Sequence, residues 1–128
     1  MQITQQCRRL ALQEVFREYG VAADGRLPYH DIQRSWVGTG LRRSDLDEAF
    51  LDALGSGDVI ELHTDEGRLA VLTISGHRKA VQAPVTVQEI EQQKRALVAL
   101  EWARARTRQR VYGLMHRTQR SGDNSIRH

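Results

Sequence analysis

The chain has 128 residues, of which 40% are apolar and 27% are charged, a composition that suits one modest core in a soluble globular protein. The N-terminus has no signal-peptide pattern, and no apolar run approaches the roughly 18 residues that a membrane-spanning helix needs. The single cysteine, Cys7, excludes an internal disulfide framework and fits a reducing compartment. We therefore expect a cytoplasmic protein with no membrane partner.

The net charge of +3 is small, but the charges are unevenly distributed along the chain. Residues 42–70 hold three arginines against eight carboxylates, a net charge of −5. Residues 102–128 hold seven arginines against one aspartate, a net charge of +6. This asymmetry indicates two separate electrostatic surfaces, which matter more for the choice of partner than the total charge.

Apolar residues at helical spacing predict a first helix over about Ile3–Tyr19. Cys7 lies on its apolar stripe, so we interpret it as a small buried hydrophobe and not as a reactive thiol. Gly20 ends the helix, and Asp24-Gly25 marks a turn. Arg26-Leu27 is then predicted to form a brief strand that pairs with a later hairpin.

Two short helices are predicted next, close together in the chain. Pro28 suits the first turn of a helix because it has no amide hydrogen, and this helix extends over about Tyr29–Val37. A glycine-rich turn separates it from a second helix, for which Ser44 is a favourable N-cap. The stripe predicted to be buried in the second helix consists of Leu46, Ala49, Phe50, Ala53 and Leu54.

Three carboxylates, Asp45, Glu48 and Asp52, recur at helical spacing on the opposite face of that second helix. A divalent ion would need these ligands to converge and usually further donors. The chain has no His-x₃-His or Cys-x₂-Cys spacing, no nucleophile–base pair and no glycine-rich phosphate loop. We therefore interpret the three carboxylates as a solvated acidic face, and we expect neither an enzyme nor a metal or cofactor.

Two strand-like segments, Val59–Thr64 and Leu69–Ile74, follow the second short helix. Asp65-Glu66-Gly67 between them fits a short hairpin loop. Apolar and polar residues alternate along the first strand, which predicts one buried and one wet face. The predicted buried face holds Ile60 and Leu62, and the predicted wet face holds Glu61 and His63.

This order, two adjacent helices and then a two-stranded wing, resembles the winged-helix domains of bacterial transcription regulators of the MarR and PadR kind. In those families a wing strand often ends in Leu-Thr-x-x-Gly and leads into a C-terminal helix. Leu72, Thr73 and Gly76 match that pattern. The resemblance covers roughly residues 5 to 80, and a PadR-like arrangement extends it through the final helix. It implies a mainly α, α+β fold with three helices, a two- or three-stranded wing sheet and a long C-terminal helix.

Thr86 and Glu89 form a capping-box pattern for this last helix, which is predicted to reach about His116. Its length of ~45 Å exceeds the body of a small domain, so we expect a second copy of the chain to cover its apolar face in a homodimer. The expected organisation is a winged-helix domain over 1–83, a dimerisation helix over 84–117 and a flexible tail over 118–128. The expected interface residues are Ile90, Leu97, Leu100, Val111 and Met115.

The resemblance implies double-stranded DNA as the partner, with the second helix of the motif in the major groove and the wings against the flanking backbone. That helix and the wing tip are acidic, so binding would depend on the basic residues around them and on a basic stripe of the last helix. The first hypothesis is therefore a dimeric bacterial or phage transcription regulator. The residues expected to contact DNA are Arg42, Arg43, Ser44, Arg68, Arg78, Lys79, Arg106, Arg110 and Arg117.

The second hypothesis is a winged helix used as a protein-interaction module. Its acidic motif face would meet a basic partner or the basic helix of another copy, since the chain carries patches of opposite charge. The two hypotheses differ in their salt response and in the effect of reversing the charges of Arg42 and Arg43.

Overall fold

The computed structural model describes the backbone of residues 3–127 and the side chains of residues 3–109. Over that range the chain forms five α-helices, a short 3-10 turn and one three-stranded antiparallel sheet, which confirms the mainly helical α+β fold. In the same range, no helix has both the length and the apolar character needed to cross a membrane. The elements in order are α1 (Gln5–Glu18), β1 (Arg26–Pro28), α2 (Tyr29–Trp36), the 3-10 turn (Val37–Thr39), α3 (Arg43–Ser56), β2 (Val59–Thr64), β3 (Gly67–Leu72), α4 (Ile74–Val81) and α5 (Val87–Arg127).

The helix α1 lies at the centre of the fold and contacts all four other helices. Its first turn is capped by Thr4, whose hydroxyl oxygen accepts a hydrogen bond from the amide of Cys7 at 3.2 Å. The predicted apolar stripe is buried, and it includes Cys7, Ala11 and Phe16. The helix predicted from the apolar spacing and the buried position of Cys7 are therefore confirmed.

The sheet has the strand order β1-β3-β2, with both pairings antiparallel. Leu27 of β1 lies opposite Ala70 of β3, so the brief strand predicted at Arg26-Leu27 does pair with the hairpin. In the hairpin itself, Ile60 lies opposite Val71. One face of this small sheet packs on α2 and α3, and the other is turned away from the helices.

The two faces of the hairpin are the reverse of those predicted. Val59, Ala70 and Leu72 are buried against the helices, whereas Ile60 is 52% exposed and shares the outer face with Leu62. Alternation determines which residues of a strand share a face, but it does not determine which face meets the helices. Here the buried core selects the face that begins with Val59. His63 is on the surface, as predicted.

The helix α3 begins at Arg43, one residue before the predicted N-cap Ser44. Arg42 is the N-cap, and its amide donates to the Asp45 carboxylate at 3.1 Å. Asp45 therefore supplies the hydrogen bond at the helix start that was expected from a serine hydroxyl. The predicted buried stripe is confirmed, with its centre at Leu46, Ala49 and Phe50.

The helix α4 was not predicted as a separate element. Thr73 begins it: the hydroxyl oxygen accepts from the amide of Gly76 at 3.0 Å, and the hydroxyl donates to the carbonyl of Gly57 at 2.7 Å. A Cβ placed on Gly76 would lie 2.1 Å from the carbonyl oxygen of Asp58. The Leu-Thr-x-x-Gly pattern thus has a local physical basis. The threonine starts α4, and the glycine lets α4 lie directly on the backbone that precedes β2.

The helix α5 begins with the predicted capping box. The Thr86 hydroxyl accepts from the amide of Glu89 at 3.1 Å, and the Glu89 carboxylate accepts from the amides of Val85 and Thr86 at 3.0 and 3.3 Å. The helix continues to Arg127 over 41 residues, past the predicted end near His116 and through most of the expected tail 118–128. No proline follows Pro84, and an isolated glycine opposes a helix by only about 1 kcal/mol.

Candidate nucleic-acid interface

Arg42 and Arg43 lie at the exposed N-terminal end of α3. The backbone of Arg42 is fixed on both sides, because its carbonyl accepts from the Trp36 indole N–H at 2.9 Å and its amide donates to Asp45. The two guanidinium groups are therefore presented from a rigid turn at the positive end of the helix dipole. The N-terminal end of α3 is therefore suited to binding a phosphate group.

The row of carboxylates on α3, Asp45, Glu48 and Asp52, lies at the edge of the seam with α1. Arg8 of α1 is 3.1 Å from the Glu48 carboxylate and 3.8 Å from that of Asp45. Gln5 donates to Asp52 at 3.2 Å. The predicted exposure is confirmed for Glu48 and Asp52, whereas Asp45 is partly buried, and α1 supplies a partner for each of the three side chains.

The outward side of α3 remains acidic and has an apolar residue at its centre. Leu51 is 67% exposed, and Asp47, Glu48 and Asp52 surround it at helical spacing. No arginine or lysine follows Arg43 in this helix. We name this set, together with Ser44 and Gly55, the Leu51 surface. It would repel the phosphates of a DNA groove along the length of the helix.

Arg68, predicted as a wing contact, is directed back toward the helices. Its guanidinium lies 3.9 Å from the centre of the Tyr29 ring and forms an ion pair with Glu61. The hydroxyl of Tyr29 donates to Asp47 at 3.4 Å. Burial raises the pKa of Tyr29, and the charge of Asp47 adds to this effect while Arg68 opposes it. Arg68 thus stabilises the contact between the hairpin and the helices. The exposed tip of the hairpin then carries only the acidic side chains of Asp65 and Glu66.

Lys79, also predicted as a wing contact, is used at the base of the hairpin. Its ammonium is 3.0 Å from the carboxylate of Asp58, which is buried and also accepts from the hydroxyls of Ser56 and Ser75 at 2.9 and 3.2 Å. This cluster joins the end of α3 to α4, at the opposite end of the hairpin from the tip. Arg78, the neighbouring residue of α4, is exposed.

The helix α5 crosses the turn between α2 and α3 at Gly40. Gly40 has a φ of +78°, and a Cβ on it would lie 2.3 Å from the carbonyl oxygen of Ala103 and 2.8 Å from the Thr107 hydroxyl. Only glycine permits this approach. The crossing places α5 beside the turn that carries Arg42 and Arg43, although the two segments are some sixty residues apart in sequence.

Three arginines of α5 flank this crossing. Arg104 is held by an ion pair with Glu14 of α1. Arg106 lies over the Trp102 ring, 4.9 Å from its centre, and Arg108 is exposed. Sequence reasoning missed Arg108, because the crossing at Gly40 leaves no periodic signal. Arg106 and Arg108 are two residues apart in the helix, so they lie on either side of α5 at the crossing. We name these two residues, together with Arg42 and Arg43, the composite arginine surface.

Some of the residues predicted for dimerisation are buried within the chain, and others are exposed. Leu100 is buried in the core of its own domain with Ala96, Ala99 and Ala103, so it packs against α1. Leu97 is 48% exposed, and Ile90 is partly buried. The alanine face docks because small side chains allow two helices to approach closely. Four predicted side chains lie outside the described residues: Arg110, Val111, Met115 and Arg117.

Neither a metal site nor a reactive thiol is found among the side chains that the structure describes. Among the side chains that the structure describes, no group of three or more histidines, cysteines or carboxylates is placed to hold a metal ion. The thiol of Cys7 is enclosed 3.8 Å from the carbonyl of Ala96, and burial raises its pKa, with the charge of Asp45 adding and that of Arg8 opposing. Such a thiol is inert toward solvent reagents.

Comparison of the chain with protein-family models, with curated proteins and with solved structures finds no match.

Proposed function

We propose that this chain is a winged helix-turn-helix module that binds duplex DNA through the composite arginine surface. The element order α1-β1-α2-α3-β2-β3, with β1 added to the hairpin, supports a winged helix. The observation that carries the function is the crossing of α5 at Gly40, which brings the helix segment that bears Arg106 and Arg108 to the turn that precedes Arg42 and Arg43.

The mode of binding follows from the charges of α3. Its N-terminal end carries Arg42 and Arg43, whereas its outward side carries only carboxylates around Leu51. DNA is therefore contacted by the end of the helix and not along its length. Phosphate contacts give affinity without sequence information, so we expect binding with weak sequence preference. Four arginines on phosphates correspond to a slope of log K against log salt of about −3 to −4.

The test is a DNA-binding titration on the full chain across a range of salt concentrations. Reversing the charges in Arg42→Glu/Arg43→Glu, or in Arg106→Glu/Arg108→Glu, should weaken binding at least about tenfold at physiological salt and reduce the salt slope by about two. Arg9→Glu/Arg17→Glu is the matched control, because it changes the net charge equally at two exposed positions of α1 that face α4.

Unchanged affinity in the first two variants, or an equal loss in the control, would show that the composite arginine surface does not bind DNA. The homodimer predicted through Ile90 and Leu97 stays a prediction, and the oligomeric state is measured on the same samples.

The exposed Leu51 supports a second candidate function, that of a protein-interaction module. An apolar residue at the centre of a polar rim is typical of a small binding surface. Negligible DNA binding at low salt, together with association that Leu51→Ser abolishes, would favour this function over the first.

A further inference from the structure

The Leu51 surface has the composition of one half of an interface. Leu51 projects from the middle of α3, and Asp47 and Asp52 lie on either side of it. Gly55, one turn further along, is exposed, and a Cβ on it would meet no atom within 4 Å. A second helix can therefore approach α3 closely at this point.

The outward side of α5 has a matching composition with the opposite charge. Val98 and Trp102 are 55% and 42% exposed and lie one turn apart on α5. Lys94, Arg95 and Arg106 flank them, and two carboxylates, Glu91 and Glu101, lie at the edge of this stripe. We name these five residues, Lys94, Arg95, Val98, Trp102 and Arg106, the Trp102 surface.

A shallow groove lies beside Val98, between α5 and the start of α1. It has a volume of about 610 Å³ and is lined by Thr4 and Gln6 of α1 and by Arg95 and Val98 of α5. Its walls are mainly apolar, with the basic residues at the edge. A leucine side chain carried on a helix would fit this groove, one turn along α5 from Trp102.

We propose that the Leu51 surface of one copy docks on the Trp102 surface of a second copy. The apolar centres, Leu51 on one side and Val98 with Trp102 on the other, exclude water from each other. The acidic rim of α3 then meets the basic rim of α5, so like charges are kept apart and opposite charges lie close. Each copy carries one of each surface, and the contact is therefore head-to-tail.

The charge distribution of the chain indicates a second copy as the occupant. The Leu51 surface carries three carboxylates, and the Trp102 surface carries one lysine and two arginines, so each copy holds the electrostatic complement of the other. The association needs no nucleic acid and does not rest on the proposed DNA binding. Arg106 belongs to both surfaces, so DNA and a second copy compete for it.

Sedimentation velocity of the full chain, without nucleic acid and over a wide range of concentrations, tests the contact. The wild type should associate at low salt and less at physiological salt. Asp47→Lys/Asp52→Lys and Arg95→Glu/Arg106→Glu should each lower the association constant at least about tenfold, because each brings like charges together. Leu51→Ser, which changes no charge, should also lower it.

An equimolar mixture of the two charge variants is the decisive sample. The arginine variant still offers an intact Leu51 surface, and the aspartate variant an intact Trp102 surface, so the mixture should associate although neither variant does alone. A contact of α5 with α5 would instead leave the aspartate variant associating by itself, because its α5 is unchanged. A monomeric wild type at low salt, undiminished association of either charge variant, or a mixture that stays monomeric would each overturn the proposal. Circular dichroism establishes that each variant is folded, and Leu51→Ser provides the test if a charge variant is not.

Discussion

The helices α3 and α5 both pack against α1, but with different chemistry. At the edge of the α3 seam, Arg8 and Gln5 reach the carboxylates of Asp45, Glu48 and Asp52. The α5 seam is built from small side chains, among them Cys7, Ala11, Ala96, Ala99 and Ala103. The carboxylates of α3 at this edge therefore have polar partners on α1, whereas among the described side chains of α5 Arg104 forms an ion pair with Glu14 of α1. The net charge of a segment does not by itself show which of its charges a partner can reach.

Gly40→Ala should disrupt the contact of α5 with the turn before α3 and have the largest effect. The new methyl group would lie 2.3 Å from the carbonyl oxygen of Ala103, in a residue whose φ of +78° already disfavours alanine. We expect the free energy of unfolding to fall by about 3 kcal/mol, as measured by urea unfolding.

Gly38→Ala is the matched control for this change. Gly38 belongs to the same 3-10 turn, and a Cβ on it would meet no atom within 4 Å. If both variants lose the same stability, the crossing of α5 at Gly40 does not have the close contact described here.

Arg8→Met should weaken the α3 seam to a smaller extent. The methionine keeps most of the apolar stem but leaves Asp45 and Glu48 without their cation. Both carboxylates retain access to water, so we expect a loss of about 1 kcal/mol that shrinks at high salt. Thermal unfolding at two salt concentrations measures it. A loss that is independent of salt would mean that packing, and not charge, accounts for the role of Arg8.

Raising the pH should act on the α5 seam through Cys7. The pKa of this thiol is raised in the folded state, so its contribution to stability is complete below the unfolded value of about 8.5 and is lost as the pH rises through the folded value. Between about pH 8.5 and 9.5 the wild type should lose up to about 1 kcal/mol more than Cys7→Ala. Tyr29, whose pKa is also raised, is present in both proteins and cancels in the comparison. Parallel loss in both proteins would contradict the assignment.

Glu89→Ala should have the smallest effect, confined to the start of α5. Hydrogen bonds from the amides of Val85 and Thr86 lower the pKa of Glu89. Its contribution is therefore present above the unfolded value and is lost as the pH falls through the folded one. Amide exchange of those two residues should become faster while that of Leu100 is unchanged. Glu91→Ala, at an exposed position one turn away from this cap, is the control and should leave the exchange as in the wild type.

Much of the fold was predictable from local patterns. The spacing of apolar residues predicted α1, α2 and α3, and the Thr86–Glu89 box predicted the start of α5. The helix α4 was missed because only one turn of pattern, Thr73 to Gly76, marks it. The N-cap of α3 was predicted to be Ser44, but it is Arg42, whose amide donates a hydrogen bond to the carboxylate of Asp45.

The candidate site was less predictable than the fold. Arg42 and Arg43 were expected at the surface near α3, and they lie there. Lys79 and Arg68 were expected to be free, but Asp58 and Glu61 hold them. The sequence shows where a basic residue is, but it does not show which carboxylate pairs with it, because that carboxylate belongs to another segment of the chain. Such pairs become visible only when the elements are packed.

The sequence by itself determined which residues share a face of each helix and strand, because backbone geometry sets a period of 3.6 or 2 residues along an element. The tertiary structure decided which of those faces is buried. It turned Ile60 outward and Val59 inward on the hairpin, and it chose the alanines of α5 for the contact with α1. These choices depend on close contacts between distant residues, such as Gly40 with Ala103, and a local period contains no information about them.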